Sequence, residues 1–177
     1  MNRIHMHRGK TILLVLWTIV AVGCSRPAVS DREGGNNEPP RIASVDVVEA
    51  TPQEATIAPG ESGELVVPIK IANGYHVNAN PPSFSYLKAT ELEIPPANGI
   101  SVEFITYPAP LVKKFSFAEK ELAVYEGEAV LRARLKADKS AQTGKHNLSA
   151  KLRVQACDDK VCYAPGVLDL LVPVNIK

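Results

Sequence analysis

No apolar run in this chain reaches the ~20 residues that cross a bilayer; the longest, Thr11 to Gly23, has thirteen. A retained transmembrane helix is therefore not expected. Basic charge is also scarce, with 20 Lys and Arg against 19 Asp and Glu. That near balance gives no footprint for nucleic acid, which is held by an excess of cations. Both methionines (Met1, Met6) and the only tryptophan (Trp17) lie in the first tenth of the chain. Beyond them no thioether is left for a methionine-rich copper site. Cysteine is rare too, with three in 177 residues. No Gly-rich phosphate loop, Ser/His/Asp order or paired-carboxylate pattern is present.

What is present begins with an export signal. Arg3, Arg8 and Lys10 precede the apolar run, and Ala21-Val22-Gly23 leads directly into Cys24. A basic start, a short apolar stretch and small residues before the cut make a secretory signal. The small residue plus cysteine resembles a bacterial lipobox, which implies removal of residues 1–23 and lipidation of Cys24. Ala21 stands where leucine is commoner, and the alternative is an ordinary secretory signal that leaves Cys24 a free thiol. Either way the compartment lies outside the cytosol, where disulfides persist. Cleavage removes three basic residues and no acid, so the remaining 154 residues carry a net charge of −2.

Residues 24–40 follow as a tether on the lipid. Ser25 to Pro40 is dominated by Gly, Asn, Pro and charge, and such a stretch cannot bury enough to fold. Its r.m.s. reach is roughly 20–25 Å, and about 50 Å when stretched.

The remainder, residues 41–177, reads as one all-β domain. Ser44–Glu49, Glu64–Ala72, Thr90–Ile94, Ser101–Thr106, Ala129–Leu135, Asn147–Gln155 and Leu168–Ile176 alternate apolar and polar residues, the mark of half-buried strands. Turn pairs such as Asn73-Gly74, Asn98-Gly99 and Glu126-Gly127 separate them. Pro68 suggests an edge strand or a bulge. About seven strands at this spacing predict an immunoglobulin-like antiparallel β-sandwich.

The most informative stretch is Gln155-Ala156-Cys157-Asp158-Asp159-Lys160-Val161-Cys162-Tyr163-Ala164-Pro165. The flanking strands place both cysteines in a hairpin loop. A bridge closing so small a ring contributes only about 2 kcal/mol on the loop-entropy model, so chemistry is as good a reason for the pair as architecture. Exchange needs one sulfur to attack a partner and a second close by to resolve the mixed disulfide. Asp158 and Asp159 disfavour a thiolate while Lys160 favours it. The competing readings are a structural bridge and, with His76 or His146, a metal site. Both histidines read as surface or loop residues rather than catalytic bases. Lys113-Lys114-Phe115-Ser116-Phe117 could lie over the sulfurs, or its phenylalanines could simply plug the core.

Together with Gly74-Tyr75-His76-Val77-Asn78, Tyr107-Pro108 and Val124-Tyr125-Glu126-Gly127, these segments resemble the N-terminal periplasmic domain of the DsbD family. The resemblance runs from about Glu64 to Ile176. It implies an immunoglobulin-like fold and a thiol:disulfide interchange role. In that role the domain is a monomer without bound cofactor or metal. It takes electrons from a thioredoxin-like or membrane-embedded donor and reduces periplasmic client proteins. It further implies that Cys162 forms the mixed disulfide and Cys157 resolves it. Phe115 or Phe117 is the capping aromatic, and Tyr75 lines the site. Three departures stand out. Four residues separate the cysteines, where the best-known members have five. Ala164 replaces the first proline of the terminal turn. The chain ends at Lys177 without a multi-helix membrane domain, so a separate electron donor is expected.

A lipid-anchored binding module of the same fold, with a permanent disulfide, is the alternative function. Substituting both cysteines by serine separates the two. The relay loses all activity yet keeps its fold in a denaturant melt, whereas the binding module loses stability and keeps its partner.

Overall fold

The structure is a computed structural model and describes residues 42–177. The signal, Cys24 and the tether to Pro40 lie outside the described residues. In chain order a 3-10 turn, Ser44–Val47, precedes β1 (Val48–Ala50), β2 (Ala55–Ile57), β3 (Ser62–Ile71), β4 (His76–Asn78), β5 (Glu91–Glu93) and β6 (Ile100–Thr106). Then come β7 (Leu111–Lys113), β8 (Leu122–Tyr125), β9 (Glu128–Ala137), β10 (Gly144–Val154), β11 (Ala156–Cys157) and β12 (Gly166–Ile176). They form three four-stranded sheets, ordered β1-β3-β9-β6, β2-β12-β10-β5 and β11-β4-β8-β7. Every pairing is antiparallel except β2 on β12. The expected immunoglobulin-like sandwich is present, with more strands than the sequence announced.

The first two sheets make the sandwich. Period-two alternation sends Leu65, Val67 and Ile69 of β3 inward with Leu131, Ala133 and Leu135 of β9. Leu148, Ala150 and Leu152 of β10 and Val172, Val174 and Ile176 of β12 join the same core. The longest ladder runs from Gly144 opposite Ile176 to Val154 opposite Gly166, so β10 and β12 are the expected hairpin with both cysteines in its loop.

Two sequence expectations need correction. Ser44–Glu49 is not one strand. Its first four residues form the 3-10 turn, because the Asp46 carboxylate accepts the Ala43 N–H at 2.9 Å and holds the turn shut. Pro68 marks no edge, since β3 lies between β1 and β9. The β1 ladder stops at Ile69, and beyond it Pro68 needs only its carbonyl, which accepts Thr51 N–H at 3.0 Å.

The third sheet carries strands of two to four residues, none singled out as a strand in the sequence. One of its faces, with Val77, Tyr125 and Ala156, joins the main core. Its other face carries Cys157, His76, Asn78, Val124 and Leu122. Val124 and Leu122 pack there with Leu87 and Phe115 in a separate apolar cluster.

Leu152 is fully buried and pairs across to Leu92 and Leu168. Leu152→Ala is expected to cost about 2–5 kcal/mol in a urea melt. The neighbouring Lys151→Ala, on the solvent face, is expected to stay within about 0.5 kcal/mol.

Candidate functional site: a disulfide under an aromatic cap

Cys157 and Cys162 are joined as a disulfide. The two sulfurs sit in different surroundings. Cys157 belongs to β11, opposite His76 of β4, and is fully buried. Cys162 is partly exposed and lines a cleft of about 680 Å³ with Tyr86, Phe117, Lys160 and Val161.

The loop between and after the cysteines holds its shape through oxygen and nitrogen. Asp158 Oδ1 accepts the N–H groups of Lys160 and Val161 at 2.7 and 2.8 Å, and Oδ2 accepts the Tyr163 hydroxyl at 2.6 Å. These bonds hold the Asp158 carboxyl below its usual range, the tyrosine bond first among them. The same bond to the carboxylate pushes Tyr163 up to about 12. Tyr163 N–H donates to Ala156 O at 2.8 Å.

Two further residues fasten the loop to the domain. The buried Ser44 hydroxyl donates to Ala164 O at 2.6 Å and accepts Ala156 N–H at 2.9 Å, so one side chain grips both flanks. The 3-10 turn can come this close because residue 166 is glycine. A Cβ there would lie 2.6 Å from Val45 Cγ1. Gln155 Oε1 accepts Asn78 Nδ2 at 3.1 Å and Lys88 N–H at 2.8 Å, while its Nε2 donates to Tyr163 O at 3.2 Å. Nothing in the sequence marks Ser44 for this role. Gln155 opens the cysteine stretch in the sequence, but nothing there marks it as a clamp.

The two phenylalanines of residues 113–117 take different positions. Phe115 is buried, stacked on His76 at a centroid distance of 4.0 Å, with Phe117 stacked behind it at 5.5 Å. Phe117 remains 37% exposed and lines the cleft beside Cys162. Neither phenylalanine plugs the main core. Ser116 Oγ donates to Asp159 O at 2.8 Å, tying cap to cysteine loop. Tyr75 sits beside Tyr163, their centroids 6.2 Å apart.

His76 is not the surface histidine expected. It is 2% exposed because Phe115 covers the face of β4 that the core does not. Burial pushes its pKa below the ordinary 6.5, partly offset by the Glu126 and Asp159 carboxylates. Its Nε2 is buried without a hydrogen-bond partner. His146 lies at the far end of β10, its Nε2 2.7 Å from Gln142 O, and so shares no site with the cysteines. Among the described residues no cluster of three or more His, Cys, Asp or Glu could hold a metal ion.

Residues 44–172 match the family described as thiol:disulfide interchange protein DsbD, N-terminal. The chain is similar to the crystal structure of the Neisseria meningitidis DsbD N-terminal domain in the reduced form, at 18% identity, covering 73% of this chain and 86% of that one, TM-score 0.46. It is also similar to the N-terminal periplasmic domain of ScsB from Proteus mirabilis, at 15% identity, covering 74% of this chain and 47% of that one, TM-score 0.49. This chain thus spans about half of the ScsB domain. No curated protein matches.

Tyr163 contributes stability fully below pH ~10, the ordinary tyrosine value. That contribution is lost as pH rises through about 12. Phenolate absorbance of the chain minus that of Tyr163→Phe is expected to show this late ionisation. Asp158→Asn is expected to bring it back toward ~10.

Proposed function

The chain belongs to the family of DsbD N-terminal domains, matched over residues 44–172, and from that membership we propose that it is a periplasmic thiol:disulfide relay, anchored by lipid on Cys24. The family is one of thiol:disulfide interchange. The observation that carries the relay reading is the asymmetry of the pair, one sulfur sealed against His76 and the other facing an open cleft. A client can reach Cys162, and only Cys162.

In the reduced chain the Cys162 thiolate attacks a client disulfide. A bond forms between Cys162 and one client sulfur, and the other client sulfur leaves with the electron pair. Cys157 then attacks the Cys162 sulfur, closing the intramolecular disulfide and expelling the second client thiolate. Two electrons pass to the client, and the two protons of the dithiol end on its thiols. A thioredoxin-like or membrane-embedded donor returns two electrons and restores the dithiol.

Two features support turnover over a permanent bridge. The loop keeps its bonds through Asp158, Ser44 and Gln155, none of which needs the sulfurs to be joined. The cap meets the cleft with apolar surface at Phe117, Tyr86 and Val161, 37%, 73% and 50% exposed. That is the kind of patch that marks a contact for another protein.

The reduction potential of the pair is the decisive measurement, read by alkylation gel shift in thiol buffers. A value between about −180 and −270 mV, where exchange proteins sit, is expected; one below about −300 mV marks a structural disulfide and leaves the binding module. With a relay potential, Cys157→Ser is expected to accumulate clients on Cys162 as mixed disulfides, visible on non-reducing gels.

A further inference from the structure

Buried Cys157 has a difficulty that the exposed Cys162 lacks. To resolve a mixed disulfide it must become a thiolate, yet an apolar, water-excluded site raises a thiol's pKa. It therefore needs a proton acceptor inside the site. The carboxylates nearby are committed: Asp158 to Tyr163 and two backbone N–H groups, Glu126 to Lys113 at 2.6 Å. Lys114 turns away to the carbonyls of Ala118 and Glu119. Asp159 is exposed, its backbone carbonyl held by Ser116.

His76 remains. It stands directly opposite Cys157 in the β4–β11 ladder, and opposite residues of an antiparallel pair share a face with Cβ atoms about 4.5–5.5 Å apart. Phe115 stacks on the ring and keeps water from it. Its Nε2 is buried and lacks a partner while the cysteines are joined. Buried polar atoms are nearly always paired, and opening the disulfide creates a thiol S–H donor on Cys157, across the ladder from this ring.

We propose that His76 is the proton acceptor for Cys157, its Nε2 taking the thiol proton as Cys157 attacks the mixed disulfide on Cys162. This rests on the relay reading. The Cys157–Cys162 bond forms and the Cys162–client bond breaks. The client sulfur leaves with the electron pair, and the proton carried by the imidazole passes to that thiolate. The imidazole is neutral near pH 7 because burial outweighs the Glu126, Asp159 and Asp158 carboxylates, with Lys113 acting in the same sense as burial. It is therefore free to accept.

The test is stopped-flow reaction of the reduced full chain, carrying Cys24→Ser so that two thiols report, with dithiobis-nitrobenzoate, which releases a coloured thiolate at each step. The first release reports attack by Cys162 and the second reports resolution by Cys157. His76→Phe keeps the stacked ring and removes the nitrogens. It is expected to leave the first release within about twofold and to slow the second by about 10²-fold, the usual scale of general base catalysis. His76→Gln, polar but unable to accept a proton, is expected to do the same and carries the test if His76→Phe does not fold. In the parent chain the second rate is expected to stay level through neutrality, falling only as the imidazole protonates below its ordinary ~6.5. In the variants it falls about tenfold per pH unit below the thiol pKa. A folded variant with the parent's second rate and pH profile overturns the assignment and leaves the relay standing. A parent chain that gives a first release and never a second overturns both.

Discussion

The site depends on two residues leaving one sheet for another. At Val154 the β10 ladder ends, and Ala156 and Cys157 pair instead with Val77 and His76 of β4. That switch commits Ala156 to the core and Cys157 to the opposite face. A strand of two residues has almost no stability of its own, so the pairing must be held from outside. Ser44 and Gln155 do this, one on the backbone at each flank and one through side-chain amides. The different fates of the two cysteines follow from that pairing.

The main core and the candidate site then share one sheet. The face with Val77 and Tyr125 closes the main core, while the face with His76, Asn78 and Val124 would be open without the cap. Phe115 covers it by stacking on the imidazole and packing with Leu87, Leu122 and Val124. That cluster is separate from the main core of the sandwich. The hydrogen bond from Ser116 to Asp159 ties this segment to the loop that holds the disulfide.

How much of this was legible in the sequence follows from element length. β9, β10 and β12 run ten or eleven residues and show their alternation openly. The hairpin loop and its cysteines could be read from them directly. The third sheet could not. Its strands are two to four residues long, too short to display a period, and His76–Asn78 is buried on both faces, so it does not alternate at all. The burial of His76 depends on Phe115, some forty positions away. Ser44 was legible as a residue but not as a clamp, because its partners at 156 and 164 come near only once the domain has closed. Residues 113–117 could be named as a segment, while which phenylalanine is buried and which faces the cleft required coordinates.

That clamp also links the start of the family match to the cysteine loop. The family match opens at residue 44, the residue whose hydroxyl grips both ends of the cysteine loop. A shorter domain starting at β1 would keep every long strand, but it would lose Ile42 and Val47 from the main core together with the side chain that seats the loop and the turn that packs on Gly166. The residues just ahead of β1 thus serve the cysteine loop and the sandwich core together, and trimming the chain past residue 43 would cut into both.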